Sequence, residues 1–116
     1  MFLAYVITTV VTIAANAGIA VADLMKAGFV LANSAEVGIP RPWIPWLAAL
    51  KGAGAAGLLL GLLGIPALGV AAATGLVLFY AGAVAVHIRA RVFHNMAFPG
   101  GYSALAVASL VLTVAQ

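Results

Sequence analysis

A chain of 116 residues with 66% hydrophobic residues, 6% charged residues and a mean hydropathy of +1.26 cannot fold as a water-soluble globule, which carries roughly a quarter charged residues. The net charge of +3 comes from five Lys and Arg scattered through apolar sequence, too dispersed for the clustered phosphate contacts of a nucleic-acid binder. The absence of cysteine excludes dithiol redox chemistry, thiolate metal sites, disulfides and c-type haem attachment.

Several apolar runs reach the roughly 18–20 residues that cross a hydrocarbon core of about 30 Å. Lipid supplies no hydrogen bonds to the backbone, so a spanning segment is a helix or part of a closed barrel, and the period-two alternation of barrel strands is missing. The expected fold is therefore all-α: a single membrane domain, residues 1–116, folded as a four-transmembrane-helix antiparallel bundle with helices over about 2–31, 46–63, 67–90 and 102–115.

The first span contains an Ala20-Val21-Ala22 triplet resembling a signal-peptidase site. No Lys or Arg precedes it, however, and its apolar stretch is longer than a signal core. It reads as a membrane helix continuing through Asp23 and Lys26 towards Leu31. Thr9, Thr12, Asn16, Asp23 and Lys26 recur at intervals of three, four and seven, which puts them on one helical face that must meet protein and not lipid. An amide or carboxylate at that depth needs a partner.

Residues 32–45, with three prolines plus Asn33 and Gly38, read as a structured surface loop, flanked by Trp43 and Trp46 at the position of an interfacial aromatic belt. In the second span Gly54, Gly57, Gly61 and Gly64 form a smooth stripe suited to close helix approach, within the chain or in a homo-oligomer. Lys51 lies near its start, free either to snorkel or to pair inward. The short Gly64-Ile65-Pro66 connection makes the second and third helices antiparallel neighbours.

On the third helix Ala73, Tyr80, His87 and His94 are seven residues apart, with Arg91 on the same face, so one side becomes steadily more polar. A Pro-Gly-Gly turn then leads into the fourth span. Lys26, Arg41, Arg89 and Arg91 flank the loops after the first and third helices, and Lys51 lies near the same side. The positive-inside rule makes that side cytoplasmic and both termini non-cytoplasmic.

An up-down bundle brings Asp23, Lys26, Lys51, His87 and Arg89 to one depth. The least costly state for Asp23 is a pair with Lys51, Lys26 or His87. His87, which titrates near neutral pH when unperturbed, is with Asp23 the candidate for proton transfer. Asn16, Lys26, Lys51, Tyr80 and Arg89 are candidate ligand contacts. No metal site is expected, because two histidines on one helix and few carboxylates do not make a convergent ligand set.

The run ALKGAGAAGLLLGLLGIPALGVAAATGLVLFYAGAVAVHIRAR, residues 49–91, begins helix two with Leu50-Lys51 and ends helix three with Ala83 followed by His87-Ile88-Arg89. Together with Asp23-Leu24-Met25-Lys26-Ala27 and the prolines 40 and 45, it resembles the DoxX-like family of small four-helix membrane proteins. The resemblance implies a pocket for a hydrophobic molecule near Lys26, Lys51, His87 and Arg89. It also implies a quinone as the possible cofactor, an accessory role in a membrane redox process, a possible membrane partner protein, and the bacterial inner membrane as location. The lack of cysteine departs from any thiol-relay member. The alternative is a membrane-embedded enzyme performing acid–base isomerisation, cyclisation or epoxide opening on a hydrophobic substrate; a third is an assembly partner whose charges only pin helix ends.

Overall fold

A computed structural model describes residues 1–116, and every regular element in it is helical: α1 (Phe2–Leu24), α2 (Gly28–Glu36), one 3-10 turn (Arg41–Trp43), α3 (Ile44–Leu62), α4 (Pro66–Arg89) and α5 (Ala97–Val114). α1, α4, α5 and the continuous Arg41–Leu62 segment are each long and apolar enough to cross a membrane, and α1 alone extends about 35 Å at 1.5 Å per residue. Their outward faces carry Val10, Val21, Leu59, Leu78, Val107 and Val111, all exposed, as a lipid-facing surface requires. The chain is an integral membrane protein.

The long helices form an up-down ring in which α3 packs between α1 and α4, α4 between α3 and α5, and α5 closes against α1. The α3–α4 turn works because Gly64 adopts a left-handed backbone, φ 122°, which lets Ile65 N–H reach back to Leu60 C=O and Gly64 N–H to Gly61 C=O, the paired closure that ends many helices. Gly38 closes α2 in the same way.

Two further helix ends use that closure without glycine. Lys26 (φ 54°) and Arg91 (φ 57°) are left-handed: Ala27 N–H bonds Ala22 C=O and Lys26 N–H bonds Asp23 C=O, while Val92 and Arg91 do likewise to His87 and Ile88. The first membrane helix therefore stops at Leu24 instead of running to Leu31, and the nine residues of α2 form a separate helix. The expected loop over 32–45 is accordingly the second half of α2 plus the 3-10 turn. The last helix starts earlier than expected, at Ala97. Pro99 falls in its first turn, where the backbone N–H has no helical acceptor to lose, so Pro-Gly-Gly opens the helix and does not precede it.

The core is small: Leu58, Ala73, Leu76, Tyr80 and Ala106 are buried together, with Ile13, Phe79, Tyr102 and Leu110 against them. Its tightest seam is α3 against α4. A Cβ at Gly54 would meet Leu76, one at Gly57 would meet Ala72, and one at Gly61 would lie 2.6 Å from the Gly69 Cα. The glycine stripe thus serves packing within the chain. Because Gly69 offers only backbone at that point, nothing flexible can give way, and Gly61→Ala is expected to cost about 2 kcal/mol, the usual scale of overpacking. Gly18→Ala, where the added methyl meets nothing within 4 Å, is expected to leave stability unchanged. Reversible unfolding of the two variants in mixed micelles checks this.

Candidate functional site

The C-terminal ends of α1 and α4 and the N-terminal ends of α3 and α5 meet at one end of the bundle, and α2 lies across them. Between these elements is a cavity of about 640 Å³, within the range that encloses small ligands. Its lining is mainly apolar, with Ile19, Phe29, Trp43, Leu50, Val86 and Phe98 among the residues, and a few polar groups interrupt it.

The most consequential of these is an ion pair. α1 presents Asp23 on its buried face one residue before the helix ends, and α3 presents Lys51 two turns after it begins. Antiparallel packing brings Lys51 Nζ to 2.7 Å from Asp23 Oδ2. The side chains are only 13% and 4% exposed respectively, and the ammonium also sits 5.5 Å from the centroid of the Phe79 ring, a favourable cation–π distance. Asp23 Oδ1 takes no hydrogen bond from any other group of the chain.

Deeper in the bundle, the Tyr80 hydroxyl donates to Asn16 Oδ1 at 2.5 Å, and Asn16 Nδ2 donates to Thr12 C=O at 2.9 Å. Asn16 is fully buried, and this bond gives it the partner that its depth demands. Tyr102 donates to Ala15 C=O at 3.1 Å, and its ring lies 5.3 Å from that of Tyr80. Together the two tyrosines tie α4 and α5 to the polar face of α1.

His87, in the last turn of α4, is buried. Its Nδ1–H donates to Ala83 C=O at 2.8 Å, and Nε2 lies 3.3 Å from Asn33 Oδ1 on α2. Asn95 Nδ2 donates to Asn33 Oδ1 at 2.5 Å. Phe29 stacks on Phe98 with centroids 6.2 Å apart, and on the outer surface His94 Nε2 meets Glu36 Oε2 at 2.6 Å. α2 is thus fastened over the cavity by side chains, at points along its whole length.

Of the residues expected from sequence, Asp23, Lys51, Tyr80 and His87 line the cavity. Asn16 stands behind Tyr80 and reaches the cavity only through that hydroxyl. Lys26 and Arg89 are exposed at the same end, outside the lining, because each lies at a helix terminus where the chain turns away. Asn33, Asn95, Glu36 and Tyr102 also line the cavity, and the sequence reading did not single them out as site residues. Their polarity was the available signal, but Asn33 and Asn95 resembled ordinary loop and turn residues, and nothing local links positions 62 residues apart.

A family model, that of the DoxX-like family, matches residues 7–109. No curated protein and no solved structure matches the chain.

Removing one member of a buried ion pair strands the other, at a cost of about 3–5 kcal/mol, whereas replacing both by apolar groups is often neutral. Lys51→Ala is therefore expected to destabilise the bundle by about 3 kcal/mol, and Asp23→Leu combined with Lys51→Met to recover most of that loss. Tyr80→Phe, which leaves Asn16 Oδ1 without its donor, is expected to cost about 1–3 kcal/mol. Unfolding free energies measured in mixed micelles for the four proteins check both statements.

Proposed function

Because the chain belongs to the DoxX-like family and has four helices able to span a membrane, we propose that it binds one lipophilic molecule in the cavity beneath α2, with the oxygen-bearing head group of that molecule among Asp23, Lys51, Tyr80 and His87. The observation carrying this reading is an apolar cavity of about 640 Å³ whose buried floor holds an ion pair and a histidine. Ionisable groups at membrane depth are costly and are kept where they serve binding, proton movement or transport. Packing four helices does not require a space of this size.

A quinone is the ligand class that the family resemblance implies, and the corresponding role is accessory to a membrane redox process. Lys51 supplies a fixed donor for a head-group oxygen, and His87 a ring nitrogen within the same space. Lys26 and Arg89 stand outside the cavity at head-group level, placed to meet lipid phosphate or the polar end of an entering molecule. All five Lys and Arg lie towards the α2 end of the bundle, which by the positive-inside rule makes that end cytoplasmic and places both termini on the other side; in a bacterial cell the corresponding location is the inner membrane.

One observation favours a second reading, acid–base catalysis on the bound molecule: Asp23 and His87, both proton-carrying groups, line one cavity. Turnover of the bound lipophile by purified protein without a redox partner would establish it.

The binding proposal is tested by native mass spectrometry of protein extracted in mild detergent. The wild-type chain is expected to retain one lipophile per chain. Ala83→Phe, which fills cavity space while leaving the polar groups in place, is expected to lower occupancy by at least about tenfold, and Gln116→Ala, at the far end, to leave it unchanged. Equal occupancy in wild type and Ala83→Phe, or none in either, would contradict the proposal.

A further inference from the structure

We propose that the cavity selects lipophiles whose head group is a hydroxyl, alcoholic or phenolic, over those whose head group only accepts hydrogen bonds. This rests on the lipophile-binding reading above and adds a chemical class to it: of a quinone couple, the cavity holds the quinol in preference to the quinone.

The argument is an inventory of protons on the buried floor. The one hydroxyl proton of Tyr80 is committed to Asn16 Oδ1, and that of Tyr102 to Ala15 C=O. The Nδ1 proton of His87 is committed to Ala83 C=O. Both phenolic oxygens therefore retain only lone pairs. Asp23 gives Oδ2 to Lys51, while its Oδ1 takes no donor from the chain. The donors that remain on this floor are the other N–H bonds of Lys51, directly beside that carboxylate. The amides of Asn33 and Asn95, the hydroxyl of Ser34 and the indole of Trp43 belong to the roof and rim, on half-buried or exposed residues, where the buried Asn95 Oδ1 is a further acceptor with no donor from the chain.

A carboxylate oxygen on a mainly apolar cavity floor that takes no donor from the chain favours a ligand that brings one, and a hydrogen bond to a charged acceptor is among the stronger ones. A hydroxyl placed at the pair satisfies both halves at once, donating to Asp23 Oδ1 and accepting from Lys51 Nζ. A ketone, quinone carbonyl or ether meets only the lysine and leaves the carboxylate oxygen unpaired. Sites built around a hydroxyl reject analogues lacking it far more strongly than apolar sites discriminate by size.

The test uses the two tryptophans of the chain. In a Trp46→Phe background, Trp43 is the remaining tryptophan and lines the cavity, so its fluorescence is quenched by a brominated ligand bound there. Protein in nanodiscs is titrated with an ω-bromo long-chain alcohol and with the methyl ether of the same alcohol, which have matched tails. The alcohol is expected to bind at least about tenfold more tightly, and Asp23→Leu with Lys51→Met is expected to bring the two to equal affinity by weakening the alcohol more than the ether. Equal affinities in the Trp46→Phe protein, or tighter binding of the ether, would overturn the hydroxyl preference while leaving lipophile binding intact. Saturable quenching by neither ligand would overturn the lipophile reading and this inference with it.

Discussion

The buried contact between Asp23 and Lys51 governs the arrangement of this bundle. Asp23 is one of two acids in the chain and the one carried by a spanning helix, and stripping a carboxylate of water without a partner costs several kcal/mol. A cation two turns into α3 supplies the partner, and the pair forms only with α3 beside α1, antiparallel to it and in this axial register. The remaining interhelical hydrogen bonds respect that register. Tyr80 reaches Asn16 two turns below Asp23, and Tyr102 reaches the backbone at Ala15 beside it.

The same end of the molecule is closed by α2, a short helix between left-handed residues Lys26 and Gly38. α2 is held by an aromatic stack, two asparagines, His87 and a surface His–Glu contact. Two physically different kinds of packing therefore coexist. The α3–α4 seam brings Gly61 against the Gly69 backbone and leaves no room for a methyl group, whereas the α2 end leaves a half-open cavity.

Much of this is legible in the sequence because it is periodic. The four spans follow from apolar length, the α3 packing face from glycines three and four residues apart, and the buried face of α1 from Thr9, Thr12, Asn16 and Asp23. The need of Asp23 for a partner is legible too, but the sequence leaves Lys51, Lys26 and His87 as alternatives, and Lys51 free to snorkel, because the choice depends on the axial register of α1 and α3. The end of α1 is not legible: a lysine in the left-handed conformation carries none of the signal that glycine gives at Gly64, so the apolar pattern reads on to Leu31. The start of α5 was misplaced for the opposite reason, since Pro-Gly-Gly reads as a turn although proline is well suited to a first helical turn. Asn33 and Asn95 were invisible as a pair because their meeting depends on α2 folding back over α5, a consequence of the misplaced helix end.

In functional terms, the chain combines the helices of a DoxX-like membrane protein with a cavity whose polar floor is organised by one ion pair. The most direct test of that organisation is a solid-state NMR distance measurement in lipid bilayers between ¹⁵N-labelled Lys51 Nζ and the ¹³C-labelled Asp23 carboxyl carbon. Strong dipolar dephasing, corresponding to the direct 2.7 Å contact between ammonium and carboxylate, is the predicted result. A lysine nitrogen showing no coupling to that carbon, with its ammonium in fast exchange with bulk water, would mean that Lys51 snorkels to the surface, and the account of both register and site would be wrong.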